Sequence, residues 1–336
     1  MSATAISTPI AVLGAGSWGT ALAAHLVRHE QPVYLWEYDK DQVLAMQRDR
    51  CNEQYAPGFA FPESMRVTNS LKDVVADVQD ILIVVPSFAF RQTLQSLKPL
   101  INQSHRIVWA TKGIDGKTGQ LFHEVVSEVL GRRAMAVLSG PSFAKEIIQK
   151  LPAAVSLASK DKCFLDDLVN RFNRGALRVY TSNDIVGVQL GGAGKNVIAI
   201  AAGISDGLSL GANARSALIT RGLAEIVRLG LAMGASRETF MGLSGIGDLI
   251  LTCLDDQSRN RRCGLALAHG ETLEQVKKQL GQVIEGAHVA EQLLLLAKKH
   301  HVDMPICELV LRVLRQEVTP GAALAELLSR QPKEEN

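Results

Sequence analysis

Residues 10–19 read Ile-Ala-Val-Leu-Gly-Ala-Gly-Ser-Trp-Gly, a short apolar run followed at once by a glycine-rich turn. The apolar run predicts a buried β-strand, and residues 20–26 after the turn predict a helix. The glycines have the G-x-G-x-x-G spacing, which carries weight because a strand precedes it and a helix follows it at the start of the chain. This stretch predicts a Rossmann-like α/β domain that binds a dinucleotide pyrophosphate at a helix N-terminus.

Each glycine of this turn has its own task. Gly14 permits the tight turn, Gly16 lets backbone N–H groups approach a pyrophosphate, and Gly19 allows the helix and strand to pack closely. The second strand then ends in Trp36-Glu37-Tyr38-Asp39. Either carboxylate could favour NAD, or could be a solvated loop charge, and no arginine is present for a 2′-phosphate. The sequence leaves the choice between NAD and NADP open.

Short β-branched runs alternate with amphipathic ones in the first half of the chain, which predicts a parallel sheet covered by helices. Helical periodicity dominates from about Asp184 onward, and Ala214–Leu229 and Val289–Lys299 are the clearest helices. We predict an α/β domain over residues 1–184, an all-α domain over residues 185–330 and a tail over residues 331–336. The predicted strands are Ile10–Leu13, Val33–Trp36, Ile81–Val85, Ile107–Ala110, Ala136–Leu138 and Ala154–Leu157.

The composition is that of an ordinary globular protein, with 336 residues, 47% hydrophobic residues and a formal net charge of +2. This charge gives no reason to expect nucleic acid or a membrane surface as a partner. Five scattered cysteines without a Cys-x-x-Cys pair favour free thiols in a reducing compartment, and the histidines lack ligand spacing, so we predict no metal. Residues 1–9 lack the pattern of a secretion signal, and we expect a cytoplasmic location.

Lys195, within Gly-Gly-Ala-Gly-Lys-Asn at residues 191–196, is the only formal charge between residues 185 and 205. An isolated ammonium in apolar surroundings needs a partner or a chemical task. The charge and five glycines disfavour a membrane span, but a structural lysine paired with a distant carboxylate is an alternative. On a helix, Gly191 and Gly192 would leave space beside Lys195 that something other than protein could occupy.

Four further segments carry polar residues in positions that suit a ligand. Lys112 follows one apolar strand and Gly140-Pro141-Ser142 follows another, at the sheet edge where α/β proteins bind ligands. Asp248 lies among glycines and apolar residues, so its charge needs a partner unless it caps a helix. A helix starting near Ser258 would hold three arginines in its first turn, which suits a phosphate. The alternatives are ordinary loops, and arginines paired with the two preceding aspartates.

Seven motifs occur in order along the chain: Gly14–Gly19, Ala110–Gly113, Gly140–Glu146, Gly191–Asn196, Gly211–Arg215, Gly247–Leu249 and Ser258–Asn260. As a set they resemble bacterial NAD(P)-dependent glycerol-3-phosphate dehydrogenase, and the resemblance extends from Ile10 to about Leu328. It implies an all-α second domain of the 6-phosphogluconate-dehydrogenase-like type. Tyr38 departs from a basic residue often found there, and Gly194 departs from a common valine, which we expect only to loosen local packing.

The resemblance also implies roles for individual residues. Lys195 would be the catalytic acid/base. The substrate would contact Lys112, Gly140, Ser142, Lys195, Asp248, Ser258, Arg259 and Asn260. Besides the turn glycines Gly14, Gly16 and Gly19, NAD(P)H would contact Ser17, Trp18, Tyr38, Lys112, Ala144, Arg259, Val283 and Glu285. For Val283 and Glu285, the assignment rests on the resemblance alone.

The implied reaction is hydride transfer that interconverts glycerol 3-phosphate and dihydroxyacetone phosphate, in the service of phospholipid synthesis. The partner is then a small phosphorylated substrate, with no nucleic acid and no membrane span, and a homodimer is the family expectation. One alternative is a β-hydroxyacid dehydrogenase of the 6-phosphogluconate or hydroxyisobutyrate type, which would explain Ser258-Arg259-Asn260 less directly. The other is a non-catalytic, dinucleotide-sensing regulator, which would not need Lys195 and Asp248 together.

Overall fold

The computed structural model describes residues 8–281 and 283–331. The chain forms two compact units: the first comprises the described residues up to Asp115 and Gln120–Gln189, and the second comprises Gly116–Gly119 and the described residues from Leu190 onward. The boundary predicted between residues 184 and 185 lies five residues before the observed one, which falls between Gln189 and Leu190. Residues 1–7, at the N-terminus considered above, and residues 332–336 of the predicted tail lie outside the described part.

The first unit is built on an eight-stranded sheet and a separate two-stranded hairpin. The strands are β1 (Ile10–Leu13), β2 (Val33–Trp36), β3 (Cys51–Asn52), β4 (Ala56–Ala60), β5 (Met65–Thr68), β6 (Asp80–Ile83), β7 (Arg106–Trp109), β8 (Met135–Ser139), β9 (Ala153–Ser159) and β10 (Leu177–Ser182). The large sheet has the order β10-β9-β8-β7-β6-β1-β2-β5, and β3 pairs with β4. The α/β Rossmann-like class predicted for this half is therefore confirmed.

The sheet differs from the prediction in strand direction, because it is not parallel throughout. The six strands from β8 to β5 in the sheet order run parallel, whereas β9 pairs antiparallel with β8. Strand β10 runs parallel to β9 and thus also opposes the rest of the sheet. An antiparallel strand can begin at the edge where its predecessor ends, so the segment between β8 and β9 does not have to cross the sheet.

Helices cover both faces of the sheet, as the continuous apolar strands require. Alternate residues of β1 face different cores: Ile10 and Val12 pack on one side, and Ala11 and Leu13 pack on the other. Every residue of this strand is fully buried. The helices of this unit are α1 (Ser17–Val27), α2 (Lys40–Asp49), α3 (Leu71–Val75), α4 (Phe90–Leu97), α5 (Phe122–Leu130), α6 (Ala144–Ile148) and α7 (Lys162–Phe172).

Strand β1 lies at the switch point of the sheet. Its two neighbours are β2 on one side and β6 on the other, with Leu13 in register with Trp36 and with Ile83. In open α/β sheets, ligands bind outside the carboxyl ends of the strands where the strand order reverses. The glycine turn follows β1 directly, so the fold places it at this point.

The described part of the second unit is helical and contains no strand. Its helices begin with α8 (Ile185–Gly207), which the unit boundary crosses, and continue with α9 (Gly211–Ala232), α10 (Arg237–Phe240), α11 (Asp248–Leu254), α12 (Arg259–Ala268), α13 (Leu273–Leu280), α14 (Glu285–Lys299), α15 (Pro305–Leu314) and α16 (Pro320–Ser329). A π-helical turn, Leu243–Gly247, precedes α11. The predicted all-α class of this half is confirmed.

Helix α8 is the core helix of the second unit. Within the described ranges it is the one helix long and apolar enough to cross a membrane, but 94% of its most apolar stretch is buried inside the protein. Glycines allow close approach to α12: a Cβ on Gly203 would lie 2.0 Å from the carbonyl oxygen of Arg261, and one on Gly264 would lie 2.0 Å from that of Ile200. The burial and the backbone contacts are those of an internal helix of a globular unit.

Candidate active site

The glycine turn after β1 has the geometry that its sequence predicts. Gly14 has a φ of +108°, and its N–H donates to the carbonyl oxygen of Trp36 at 2.9 Å. A Cβ on Gly19 would lie 1.8 Å from the carbonyl oxygen of Gly14. The turn and the first turn of α1 thus touch through their backbones, and neither position can accept a side chain without movement.

The same turn leaves room where a dinucleotide would bind. A Cβ on Gly16 would meet nothing within 4 Å, in contrast to Gly14 and Gly19. Ser17 opens α1, whose first-turn N–H groups have no helical acceptor. The buried indole Nε1 of Trp18 has no hydrogen-bond partner within the described part of the chain. Open space, helix N–H groups and an unused donor together fit a pyrophosphate group.

The end of β2 folds back onto this turn through one carboxylate. Oε2 of Glu37 accepts a hydrogen bond from the Ala15 N–H at 2.7 Å, and Oε1 accepts from the Tyr38 N–H at 2.8 Å. Asp39 has a different task, because its Oδ1 caps α2 by accepting from the N–H groups of Asp41 and Gln42 at 2.8 and 3.1 Å. The Tyr38 ring is exposed. The structure thus distinguishes the two acids that the sequence left equivalent.

The loops after β7 and β8 bring three predicted site residues together. The Lys112 Nζ donates to the carbonyl oxygen of Gly140 at 3.1 Å, and the Ser142 hydroxyl donates to the same oxygen at 3.0 Å. Gly140 has a φ of +141°, and a Cβ there would lie 3.0 Å from the Cα of Val155. Ala144 begins α6 directly afterwards. Because β7 and β8 are parallel, both loops lie at the same edge of the sheet.

In the second unit, Lys195 lies in a buried polar group of three side chains. Its Nζ donates to Oδ1 of Asp248 at 2.5 Å and to the hydroxyl of Thr252 at 2.7 Å. The Thr252 hydroxyl donates in turn to the backbone carbonyl of Asp248 at 2.6 Å. Lys195 is 7% exposed and Asp248 is 1% exposed. The ammonium is therefore fixed by two neighbours and nearly removed from solvent, and Asp248 is the partner that sequence analysis required.

Helix α11 places these two neighbours. Asp248 is its first residue and Thr252 lies one turn later, so both face Lys195. The N-cap position of this helix is Gly247, so Asp248 is not the N-cap residue of the capping alternative. Sequence analysis missed Thr252, although its spacing of four residues from Asp248 was a usable signal.

The space expected beside Lys195 is partly filled by protein. A Cβ on Gly191 would lie 2.3 Å from the carbonyl oxygen of Ser244, in the π-helical turn before α11. A Cβ on Gly194 would lie 2.8 Å from Cγ1 of Ile226. The expectations of free space at Gly191 and of loosened packing at Gly194 are therefore wrong, because these glycines let other segments approach α8 closely.

Cys253 follows Thr252 and interacts electrostatically with Lys195. Burial raises the pKa of this thiol to about 12, and the nearby ammonium opposes the shift only in part. A thiol with such a pKa stays protonated near neutral pH. The Cys253 thiol is therefore a packing residue, and the carboxyl group that accepts from Lys195 belongs to Asp248.

Helix α12 starts where the sequence predicted. Ser258 is its N-cap, and its Oγ accepts from the Arg261 N–H at 3.2 Å. The Arg261 guanidinium donates to Asp206 at 2.7 Å and also pairs with Asp256. Arg261 therefore follows the ion-pair alternative, while Arg259, half-buried at the first helical position, remains the candidate for a phosphate.

Asn260 connects three helices of this unit. Its Nδ2 donates to Oδ1 of Asn196, next to Lys195, at 2.9 Å. Its Oδ1 accepts from the N–H of Gly286, in the first turn of α14, at 2.9 Å. Glu285, which begins α14, and Val283, in the loop before it, therefore lie near the start of α12. This link between distant segments had no sequence signal.

Metal ligands do not cluster in the described residues: they contain no group of three or more His, Cys, Asp or Glu side chains that could hold an ion. All five cysteines are free, and three of them are buried.

Two family models cover most of the chain. The N-terminal model of NAD-dependent glycerol-3-phosphate dehydrogenase matches residues 9–165, and the C-terminal model of the same enzyme matches residues 184–325. The first match contains the glycine turn, Lys112 and Gly140, and the second contains Lys195 and Asp248. Each half is thus matched by the model for the corresponding half of the enzyme.

Individual proteins are similar to this chain in sequence and structure over nearly its full length. A glycerol-3-phosphate dehydrogenase (NAD(P)+) of Tolumonas auensis is 49% identical over 97% of this chain and 98% of its own. One from Coxiella burnetii is 51% identical over the same shares of the two chains. The crystal structure of glycerol-3-phosphate dehydrogenase from Coxiella burnetii superposes with a TM-score of 0.94 at 50% identity, covering 96% of this chain and 99% of that one. The chain therefore belongs to the NAD-dependent glycerol-3-phosphate dehydrogenase family.

Proposed function

We propose that this protein is an NAD(P)-dependent sn-glycerol-3-phosphate dehydrogenase that interconverts dihydroxyacetone phosphate and sn-glycerol 3-phosphate. The relatives that are about half identical over nearly the whole chain support this reaction. The observation in the structure that carries it is the buried Lys195 ammonium held by Asp248 and Thr252. Such an arrangement positions one proton donor in a site with little water.

Lys195 acts as the acid/base. Reduction of the C2 ketone leaves negative charge on its oxygen, and the ammonium donates a hydrogen bond and then a proton to that oxygen. In the reverse direction, the neutral amine accepts the proton of the C2 hydroxyl. When bound, the nicotinamide supplies or receives the hydride. Asp248 and Thr252 fix the Nζ position, which lowers the reorganisation needed in the transition state.

The dinucleotide is held by the first unit through the glycine turn and the N-terminus of α1. Gly16 admits the pyrophosphate, and the unused Trp18 N–H is a donor for it. The assignments of the other cofactor residues remain predictions of the family resemblance, namely Ser17, Tyr38, Lys112, Ala144, Arg259, Val283 and Glu285.

The substrate phosphate is bound at the start of α12. Arg259 supplies a planar guanidinium, and the helix N-terminus supplies N–H groups and a favourable dipole. Ser258 accepts a bond as the N-cap, and its hydroxyl proton is still available to an anion. Further substrate contacts by Lys112, Gly140, Ser142, Asp248 and Asn260 remain predictions.

An absorbance assay at the nicotinamide band tests the reaction. Dihydroxyacetone phosphate is the expected substrate, with 6-phosphogluconate and hydroxyisobutyrate as the competing panel. Lys195→Ala should lower turnover about 10² to 10⁴-fold. Lys277→Ala is the matched control, because Lys277 forms only a partly exposed ion pair with Glu274. Near-normal turnover of the Lys195 variant, or reaction with the hydroxy acids alone, would contradict the proposal.

The phosphate site is tested by comparing substrates with and without phosphate. Arg259→Ala should reduce kcat/KM for dihydroxyacetone phosphate much more than for dihydroxyacetone. Arg262→Ala is the control, since Arg262 is exposed one turn away on the same helix. Equal losses on both substrates would instead assign Arg259 to the cofactor or to folding.

We also place this reaction in the cytoplasm, as a homodimer and as the source of glycerol phosphate for phospholipid synthesis. Five free cysteines support a reducing compartment. The dimer and the pathway follow from the family resemblance. Analytical ultracentrifugation of the full chain tests the dimer, and restoration of growth to a strain that requires glycerol tests the pathway.

A further inference from the structure

The end of β2 contains an acid whose position bears on the choice of cofactor. Glu37 immediately follows the last residue of β2, and its carboxylate reaches the glycine turn, where Oε2 accepts from the Ala15 N–H at 2.7 Å. In Rossmann-type domains, an acid at the end of the second strand accepts hydrogen bonds from the adenosine ribose of NAD. Glu37 occupies that place and is held there by the protein itself.

We propose that Glu37 makes this enzyme select NAD(H) over NADP(H). The inference rests on the proposed function, since it names the dinucleotide that the same site takes. Oε1 of Glu37 accepts from the N–H groups of Tyr38 and Asp39 at 2.8 and 3.4 Å, whereas Oε2 accepts one N–H from the described residues. An ionised carboxylate oxygen has two lone pairs, so Oε2 retains an acceptor site for a ribose hydroxyl.

The 2′-phosphate of NADP(H) would be repelled at the end of β2, where the ribose hydroxyl of NAD(H) is accepted. Its negative charge would approach the Glu37 carboxylate, which three backbone N–H groups hold in place. The next residue, Tyr38, is 81% exposed and brings no positive charge to offset the repulsion. Like charges a few ångströms apart near a protein surface weaken binding about ten- to a hundredfold.

Asp39, the other acid of this segment, does not select the cofactor. Its Oδ1 accepts from the N–H groups of Asp41 and Gln42 as the N-cap of α2. The first residue of that helix, Lys40, is the cation nearest to Glu37 in sequence. These neighbours provide matched variants, because Asp39→Asn removes one negative charge two residues from Glu37 while keeping a good cap.

Binding measurements on the full chain test the proposal without turnover. All three tryptophans, Trp18, Trp36 and Trp109, lie in the first unit, so energy transfer to the reduced nicotinamide reports binding there. Calorimetry with ADP-ribose and with its 2′-phosphate measures the affinity for the adenosine half of the cofactor alone, because both compounds lack the nicotinamide. For the wild type, NADH should bind about ten- to a hundredfold tighter than NADPH.

The variants then assign the preference to one side chain. Glu37→Gln should bring the two dissociation constants within about threefold of each other, while Asp39→Asn and Lys40→Met should leave their ratio unchanged. Because Glu37→Gln also changes the hydrogen bond from Ala15, a salt series on the wild type gives a second measure. The preference for NADH should shrink as salt screens the repulsion.

Several outcomes would overturn the inference. Equal or tighter binding of NADPH to the wild type would do so, and so would a preference lost in Asp39→Asn instead of Glu37→Gln. A selective loss of NADPH binding in Lys40→Met would identify a phosphate site and exclude the proposal. Nucleotide binding with no turnover of dihydroxyacetone phosphate would contradict the proposed function alone, whereas failure to bind either nucleotide would contradict both.

Discussion

A double-mutant cycle on Lys195 and Asp248 would measure how strongly the buried pair is coupled. The Nζ–Oδ1 distance is 2.5 Å, and the side chains are 8% and 1% exposed. Lys195→Met leaves the Asp248 carboxylate without its cation, and Asp248→Asn leaves the ammonium without its anion. Removing one member of such a buried pair costs about 3–5 kcal/mol, chiefly because the remaining charge is uncompensated.

The double variant removes both charges and should therefore be less damaged than the sum of the singles. We expect its free energy of unfolding to fall by about 3 kcal/mol less than that sum. Urea unfolding of the nucleotide-free protein, followed by far-UV circular dichroism, measures this quantity. Tryptophan fluorescence follows only the first unit, so it shows whether the loss is confined to the helical one.

The exposed pair of Lys277 and Glu274 supplies the control for this cycle. The distance between its charged atoms is 2.7 Å, but the glutamate side chain is 80% exposed. Its coupling should stay below about 1 kcal/mol. Additive effects at Lys195 and Asp248, or single losses as small as those of the control, would show that the buried pair is well solvated and would refute the reasoning.

Substitutions at four further positions test other parts of the structure. Gly16→Ala should weaken NADH binding about tenfold or more with little loss of stability, whereas Gly19→Ala should lower stability by about 3 kcal/mol, because only the latter Cβ strikes the Gly14 carbonyl. Calorimetry measures the effect on NADH binding, and thermal unfolding measures the effect on stability. Gly194→Val should cost about 1–3 kcal/mol against Ile226, and the cost should shrink when Ile226→Ala is added. Burial raises the pKa of Glu225 from 4.5 to about 7; the folded state then binds its proton more tightly, so this residue should make stability fall by about 3 kcal/mol as pH rises through that window. Glu225→Gln should remove this decline in urea titrations at a series of pH values.

The strands that sequence analysis found are those that are buried on both faces. Ile10–Leu13 and Val33–Trp36 were predicted with the bounds that the structure gives. Four strands were missed: Met65–Thr68 and Leu177–Ser182, which form the two edges of the large sheet, and Cys51–Asn52 and Ala56–Ala60, which form the hairpin. Edge strands expose polar side chains, so they lack the continuous apolar run on which the prediction relied.

The candidate site was predictable where a residue conflicts with its own surroundings. Lys195 and Asp248 are charges within apolar sequence, and such charges need partners wherever the fold places them. Thr252 and Ser244 carry no such conflict. Thr252 is an ordinary hydroxyl on a helix, and Ser244 acts through its backbone carbonyl, which lies where a Cβ of Gly191 would be. The contacts of Thr252 with Lys195 and of Ser244 with Gly191 depend on how α11 and the turn before it pack against α8. The local sequence does not specify this packing.

Asn260 joins three helices of the second unit that lie far apart in the chain. Its single amide donates to Asn196 on α8 and accepts from Gly286 on α14, while Asn260 itself lies on α12. A Cβ on Gly286 would lie 2.5 Å from the carbonyl oxygen of Asn196, so α8 and α14 also touch directly. Because each group of this buried amide is used within the protein, any displacement of α12 would leave a donor or acceptor unpaired in the interior. The positions of Lys195, Arg259 and Glu285 are therefore coupled through the residues beside them, and the amide keeps Lys195 and the start of α12 in a fixed relation.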